Sequence, residues 1–191
     1  SIFVLTTGAV NVSLLSQYIG LFIPLAHVNG SSGFKNIASI DNKDNTIVGV
    51  TPYVFQEAPS RAQQVVVEGD ILVSLVRPNL KNIAMITLCD DILVASSGFC
   101  VLRVNQYADA RFIKHLVVTE QFTTYLTDRV SGANYPAVRE DDIKNCFIGI
   151  PPLPLQQTFA QKVEAIEKQK ALIKQSITEA ETLLACRMQY Y

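Results

Sequence analysis

Residues Gln156–Arg187 read QQTFAQKVEAIEKQKALIKQSITEAETLLACR, and the organisation of the chain depends on this stretch. Its apolar residues recur at alternating spacings of four and three, which is a heptad pattern with apolar a and d positions. Neither Gly nor Pro occurs from Gln156 onward, so we predict one unbroken helix of roughly 45 Å. The predicted helix-pairing residues are Phe159, Val163, Ile166, Lys170, Ile173, Ile177, Ala180 and Leu184.

A narrow apolar stripe on a helix of this length predicts a partner. Each large apolar side chain left in water forfeits about 1.5–3 kcal/mol, so something must cover the stripe. Lys170 fills the one polar position, where it either fixes register and oligomeric state or extends its charge out to solvent. Upstream, Pro151, Pro152 and Pro154 end the preceding element and mark the start of the helix.

Length and composition predict one globular domain followed by this helix. The chain has 191 residues, of which 49% are hydrophobic and 17% charged, so a sizeable core is available. We place the domain at residues 1–150 and the proline segment with the helix at 151–191. The formal net charge is −1, which argues against nucleic-acid binding driven by overall charge. Any DNA-binding face must therefore come from local clustering of basic residues.

Cysteine usage and hydropathy favour a cytoplasmic protein. Cys89, Cys100, Cys146 and Cys186 lie far apart without a C-x-x-C pair, so we expect buried free thiols and no metal site. The apolar segment Ser1–Ala26 is interrupted by polar residues too often to cross a bilayer, and no membrane association is expected. No glycine-rich cofactor loop is evident either.

Before the helix, the chain predicts an α+β fold, namely a β-rich domain with flanking helices. Short apolar runs separated by turn residues indicate many short strands. A polar, glycine-containing loop is expected from Val28 to Asn45, and one helix over Ala110–Leu126. The strand candidates are pieces of Ile2–Pro24, Ile47–Val50, the run around Val65, Ile71–Val76, Ile83–Leu88, Ile92–Ala95, Phe99–Val104 and Phe147–Ile150.

Several short segments, in this order and spacing, resemble type I restriction–modification specificity subunits. They are Gly69–Ser74 (GDILVS) with Arg77-Pro78, Ser97-Gly98-Phe99 leading into Val101-Leu102-Arg103, Gly132–Pro136 (GANYP), Ile148–Gln157 (IGIPPLPLQQ) and Val163–Lys170 (VEAIEKQK). The resemblance extends from Glu68 to Leu184, whereas the first sixty residues match only loosely.

The resemblance implies a non-catalytic target recognition domain followed by a spacer helix. Subunits of this family resemble two such units in tandem, each recognising one half of a split DNA target. This chain then resembles a half-sized subunit or half of a longer one. Its implied partners are double-stranded DNA, methyltransferase and restriction subunits, and a second copy or second half paired through the antiparallel helix. S-adenosylmethionine is expected on the methyltransferase partner, and no cofactor on this chain.

The resemblance also directs attention to the basic residues nearest these segments as DNA contacts. Arginine and lysine bond guanine edges or phosphates, and asparagine can bond adenine. Arg61 and Lys81 are expected on phosphates, whereas Arg77 and Arg103 could instead form structural ion pairs with Asp70 or Asp91. The DNA-binding candidates are Arg61, Arg77, Asn79, Lys81, Arg103, Lys35, Asn36 and Lys43.

Two rival functions follow from other features of the sequence. The near-neutral charge and the heptad helix are also compatible with an oligomeric coiled-coil adaptor that recruits protein partners without binding DNA. The adjacent acids Asp90-Asp91 and Asp141-Asp142 could support metal-assisted hydrolysis, although turns favour Asp for reasons of backbone geometry alone. No catalytic residue is predicted.

Overall fold

The computed structural model describes residues 11–20, 23–24, 33–87, 91–132 and 136–188. Ten strands and four α-helices lie within these ranges: β1 (Asn11–Leu14), β2 (Ile23–Pro24), β3 (Phe34–Asp41), β4 (Thr46–Tyr53), β5 (Ala62–Val66), β6 (Ile71–Ser74), β7 (Ile83–Met85), β8 (Leu93–Ser96), β9 (Phe99–Leu102), α1 (Ala110–Val117), α2 (Glu120–Thr127), α3 (Glu140–Lys144), β10 (Phe147–Ile150) and α4 (Leu153–Met188). The predicted α+β class and the long C-terminal helix are confirmed.

Two sheets and a helical layer build the domain. A five-stranded sheet has the order β2-β5-β8-β3-β4, and a three-stranded sheet has the order β7-β6-β9. Alternation along β6 shows how they stack, because Leu72 packs toward the five-stranded sheet while Ile71 and Val73 pack with the helices. The three-stranded sheet is therefore covered on both faces, which explains its continuous apolar sequence.

The segment Phe34–Asp41 is strand β3, so our prediction of a loop from Val28 to Asn45 was wrong for these residues. β3 pairs with β4 on one side and with β8 on the other. Its three buried residues, Phe34, Ile37 and Ile40, contact other strands of the core. Of the described residues in this range, Gly33 and the turn at residues 42–45 lie outside a strand as predicted, and residues 28–32 fall outside the described part of the chain.

The predicted helix Ala110–Leu126 is two helices, α1 and α2, which are separated at Val118 and Thr119. Thr119 is extended and accepts a hydrogen bond from the Phe122 N–H, so it caps α2. Its hydroxyl also donates to the Leu116 carbonyl at 2.7 Å. This local side-chain bonding competes with continuation of the helix and explains the break.

Helix α4 begins at Leu153, three residues before the predicted start. Pro154 lies in the first turn, where its missing N–H would have had no intrahelical partner, so the helix tolerates it. The helix has 36 residues, which corresponds to about 54 Å. Gln156 and Ala160 are buried in its first turns, whereas the residues beyond Val163 are exposed through Arg187.

Two of the predicted free thiols, Cys100 and Cys146, lie in the core, where burial raises the pKa of each to about 12. Cys186 on α4 is exposed, contrary to the prediction, and Cys89 falls outside the described residues. Within the described ranges, none of the helices has the length and hydropathy needed to cross a membrane. The same ranges contain no cluster of three or more His, Cys, Asp or Glu that could hold a metal ion.

Candidate nucleic-acid interface

One edge of the domain gathers loops from four separate segments, and we call it the turn edge. The Ser97-Gly98 turn connects them, because the Ser97 N–H donates to the Arg61 carbonyl at 2.8 Å and the Gly98 carbonyl accepts from the Leu75 N–H at 2.9 Å. The turn after β3 lies on the same side, since β3 runs parallel to β8 and continues past its end. The turn edge comprises residues 42–45, Arg61, Leu75–Asn79 and Ser97-Gly98.

Four of the predicted DNA-binding residues lie at the turn edge. Arg61, Arg77, Asn79 and Lys43 are all exposed there. The Lys43 N–H donates to the Asp41 carboxylate at 2.8 Å, and Asp44 follows it, so the local charge around Lys43 is largely balanced. The basic groups of this edge without an adjacent acidic residue are therefore its arginines.

The loop from Arg77 to Lys81 has an unusual backbone. Both residues adopt the left-handed conformation, with φ of 49° and 52°, and they flank a single turn of 3₁₀ helix at Pro78–Leu80. Non-glycine residues adopt this conformation only where the surrounding structure enforces it, and such strain is often found at functional sites. Pro78 is buried and the Arg77 N–H donates to the Pro136 carbonyl at 2.9 Å, so the fold fixes this loop.

Arg139 also belongs near the turn edge, and sequence reasoning did not include it among the candidates. The N–H of the preceding residue, Val138, donates to the Leu75 carbonyl at 2.9 Å, and Arg139 itself is exposed. Arg139 immediately precedes α3, and the Asp142 carboxylate accepts from the Arg139 N–H at 2.9 Å. No local sequence pattern indicates this location, because it depends on the contact with Leu75, which lies more than sixty residues earlier in the chain.

The other four DNA-binding candidates lie elsewhere or are engaged in contacts. Lys35 lies at the start of β3, at the opposite end of the sheet, and forms an ion pair with Asp91. Lys81 forms an ion pair with Glu120 at the start of α2. Asn36 is half-buried within β3, between β4 and β8.

Arg103 adopts the alternative role weighed for it, a structural ion pair. Its Nε and Nη2 donate to the two carboxylate oxygens of Asp70 at 2.9 and 2.6 Å, and Nη2 also donates to the Val65 carbonyl at 3.2 Å. The Asp70 side chain is only 2% exposed, and the hydrogen bond to it raises the pKa of Arg103 above its ordinary value. This geometry occupies the guanidinium inside the domain, so we do not retain Arg103 as a DNA contact.

Two of the four acids considered for hydrolysis form structural contacts. Asp142 caps α3, Asp91 pairs with Lys35, and Asp90 falls outside the described residues. His115 packs edge-on against Phe159 of α4, and burial with the neighbouring charge of Lys114 lowers its pKa. None of these groups faces a described cluster of further titratable residues suited to metal binding.

The second candidate surface is the apolar stripe of α4. Phe159 packs edge-on against Phe112 of α1, with ring centroids 5.6 Å apart, and Val163 is half-buried. Beyond them, Ile166, Lys170, Ile173, Ile177, Ala180 and Leu184 are exposed. Lys170 directs its ammonium to Glu167 at 3.0 Å on the same helix, which is the geometry of a charge extended away from the stripe. The far part of the stripe is uncovered in the single chain.

Comparison with known proteins identifies the family. A family model described as the type I restriction modification DNA specificity domain matches residues 31–182. Over 130 residues the chain is 22% identical to the type I restriction enzyme EcoDI specificity subunit of Escherichia coli, covering 66% of this chain and 28% of that protein. The adaptor alternative receives no support from these matches.

Two solved structures have the same fold. One is the crystal structure of the HsdS subunit from Thermoanaerobacter tengcongensis, with 30% identity and a TM-score of 0.76. The other, described as the structural basis of complex assembly and conformational transition of the type I R-M system, has 31% identity and a TM-score of 0.75. Each match covers 90% of this chain and 45% of the other, so this chain spans about half the length of these relatives. The chain belongs to the family of type I restriction modification DNA specificity domains.

Proposed function

We propose that this chain recognises one half of a split DNA target and positions the methyltransferase and restriction subunits of a type I restriction–modification complex. The observation that carries the DNA-binding part is the exposed turn edge, where Arg61 and Arg77 come from segments held together by the Ser97-Gly98 turn. Arginine is suited to both guanine edges and phosphates. Asn79, in the strained loop beside Arg77, adds a side chain that can bond adenine.

The chain contributes recognition in this proposal, and the chemistry resides in its partners. Methylation and cleavage are assigned to the partner subunits, and S-adenosylmethionine to the methyltransferase. The exposed stripe of α4 pairs antiparallel with the same helix of a second copy, or with the helix of a second half. In that arrangement the length of α4 sets the distance between two DNA-recognition domains, as dimer geometry sets half-site spacing in other DNA-binding proteins.

DNA binding through the turn edge predicts a specific loss in the double variant Arg61→Ala/Arg77→Ala. Electrophoretic shift experiments at a series of salt concentrations, with the methyltransferase partner added, measure the slope of log K against log salt concentration, which we call the salt slope. The unmodified chain is expected to retard DNA at low salt. In the double variant the salt slope should fall in magnitude by about two, because each lost phosphate contact removes ~0.9. An arginine that contacts a base should contribute about 1–3 kcal/mol of affinity as well.

The matched control is Lys174→Ala/Lys162→Ala, which removes the same charge from exposed positions on α4. Control and unmodified chain should have the same salt slope. Equal slopes for all three proteins would exclude the turn edge as the DNA contact. An absence of retardation for the unmodified chain at low salt, with its partner present, would contradict the proposed function itself.

A further inference from the structure

The start of α4 is attached to the domain by a buried amide, that of Gln156. This side chain has no exposed surface and lies between the segments that precede α1 and α4. Its Oε1 accepts from the Asp109 N–H at 2.9 Å, and its Nε2 donates to the Pro151 carbonyl at 2.8 Å and more weakly to the Tyr107 carbonyl at 3.4 Å. One side chain thus forms hydrogen bonds with three backbone groups.

Asp109, one of the three residues that Gln156 bonds, is itself a helix cap. The Asp109 carboxylate accepts from the N–H groups of Arg111 and Phe112, at 2.9 and 3.1 Å, and so fixes the start of α1. Gln156 therefore joins the first turn of one helix to the cap of another. Buried hydrogen bonds of this kind are directional and costly to leave unmade, so they restrict the angle between the elements that they connect.

Contacts between α4 and the domain are confined to the base of the helix. After Gln156 come Ala160, which is buried, and Phe159, which packs on Phe112. The last described contact is an exposed ion pair between Arg111 and Glu164, at 3.2 Å. From there the helix is exposed through Arg187, which makes the base the point that determines where its far end lies.

A small change of angle at this base has a large effect at the tip. A tilt of roughly 10° at Glu164 displaces a point about 24 residues further, or ~36 Å along the helix, by ~6 Å. The displacement is transverse to α4, and at roughly 10 Å from the DNA axis it corresponds to ~35° around the duplex. An error of this size therefore changes the rotational position of a second DNA-recognition domain by the twist of about one base-pair step.

We infer that Gln156 is a positioning residue that fixes the direction of α4 relative to the domain and thereby the spacing between the two halves of the DNA target. The inference about spacing rests on the proposed function, whereas the inference about direction does not. Gln156 touches no DNA in this account and acts only through the orientation of the helix.

The test replaces Gln156 by Met, which keeps the length of the side chain and removes every hydrogen bond. Gln157→Met is the matched control, because Gln157 is the exposed neighbour on the same helix. Spin labels at Val48→Cys on the domain and Gln175→Cys on α4, in a Cys89→Ser/Cys186→Ser background, report the distance between the two. Dilution with unlabelled full-length chain restricts the signal to pairs within one molecule.

Pulsed electron paramagnetic resonance should give a narrow distance distribution for the reference protein and for Gln157→Met. For Gln156→Met the distribution should broaden by several ångströms. If this variant does not fold, Gln156→Glu takes its place, since it retains the acceptor for Asp109 and loses the donor. A folded variant at Gln156 with a distribution as narrow as the control overturns the inference.

A second measurement tests whether the direction of α4 determines the spacing between the two half-sites of the DNA target. The chain with its methyltransferase partner is given a DNA library in which the two half-sites are separated by every spacing over about one helical turn. The reference protein and Gln157→Met should methylate one spacing predominantly, whereas Gln156→Met should also methylate the spacings one or two base pairs away. An unchanged preference, with a broadened distance distribution, overturns the part of the inference that concerns spacing.

The two readouts also separate this inference from the proposed function. If the reference protein directs no methylation at any spacing, the proposed function fails. The distance measurement then still decides whether Gln156 fixes the helix.

Discussion

Replacing Asp70 by Ala is expected to lower the free energy of unfolding of the domain by about 3–5 kcal/mol. The substitution leaves the Arg103 guanidinium without its bidentate partner, in a position where the side chain is only 20% exposed. It also removes the acceptor of the Val67 N–H, at 2.9 Å, in the turn between β5 and β6. Removing one partner of a buried ion pair lowers the stability by more than the intact pair contributes to it, because the remaining charge stays uncompensated.

Urea unfolding followed by circular dichroism measures this change. The control is Glu120→Ala, which breaks the ion pair with Lys81, where the Glu120 side chain is 78% exposed. Exposed pairs contribute about 0–1 kcal/mol, so the control should remain close to the unmodified chain. A loss for Asp70→Ala no larger than that of the control would show that Arg103 is not a structural residue, and would restore it as a DNA-binding candidate.

The double variant Ile173→Glu/Ile177→Glu is expected to abolish self-association while the domain remains folded. We expect the unmodified chain to form a dimer at micromolar concentration through α4. The two side chains are 60% and 54% exposed in the single chain, so the domain does not need them. Covering one such side chain contributes about 1.5–3 kcal/mol, and an antiparallel pair covers four. Their loss should weaken the dimer by at least about 10³-fold.

Leu172 provides a matched control for this prediction. It is adjacent to Ile173 and similarly exposed, at 64%, but it points about 100° away around the helix. Light scattering should therefore find a monomer for the double variant, a weakened dimer for Ile173→Glu and an unimpaired dimer for Leu172→Glu. Equal effects of Ile173→Glu and Leu172→Glu would contradict pairing along the heptad stripe. Unfolding of the entire chain would mean that this part of α4 belongs to the domain core.

The features predicted correctly from the sequence depend on local patterns. The heptad stripe specifies a helix because its period and its freedom from Gly and Pro are local properties. β6 and β10 were also predicted, since short apolar runs between turn residues indicate buried strands. The loop prediction over Phe34–Asp41 failed because Lys35, Asn36 and Ser39 interrupt the apolar pattern, and the pairing with β4 and β8 overrides their low strand preference.

The features that the sequence left open depend on contacts between distant segments. The ion pair between Asp70 and Arg103 joins residues 33 positions apart, and the local sequence is equally compatible with a DNA-binding role for Arg103. The bonds from Gln156 to Asp109 and Tyr107 connect segments more than forty residues apart. The gathering of Arg61, Arg77 and Arg139 at one edge depends in the same way on sheet register and on the Ser97-Gly98 turn.

The central claim is that this chain recognises half of a split DNA target, and mapping methylated sites tests it most directly. Cells that carry the chain with its methyltransferase partner are sequenced for modified bases, beside cells that carry the partner with Arg61→Ala/Arg77→Ala. The account predicts methylation at a bipartite motif with a fixed spacer for the unmodified chain, and loss of that motif for the variant. Methylation that is absent, or confined to a continuous motif without a spacer, would contradict it.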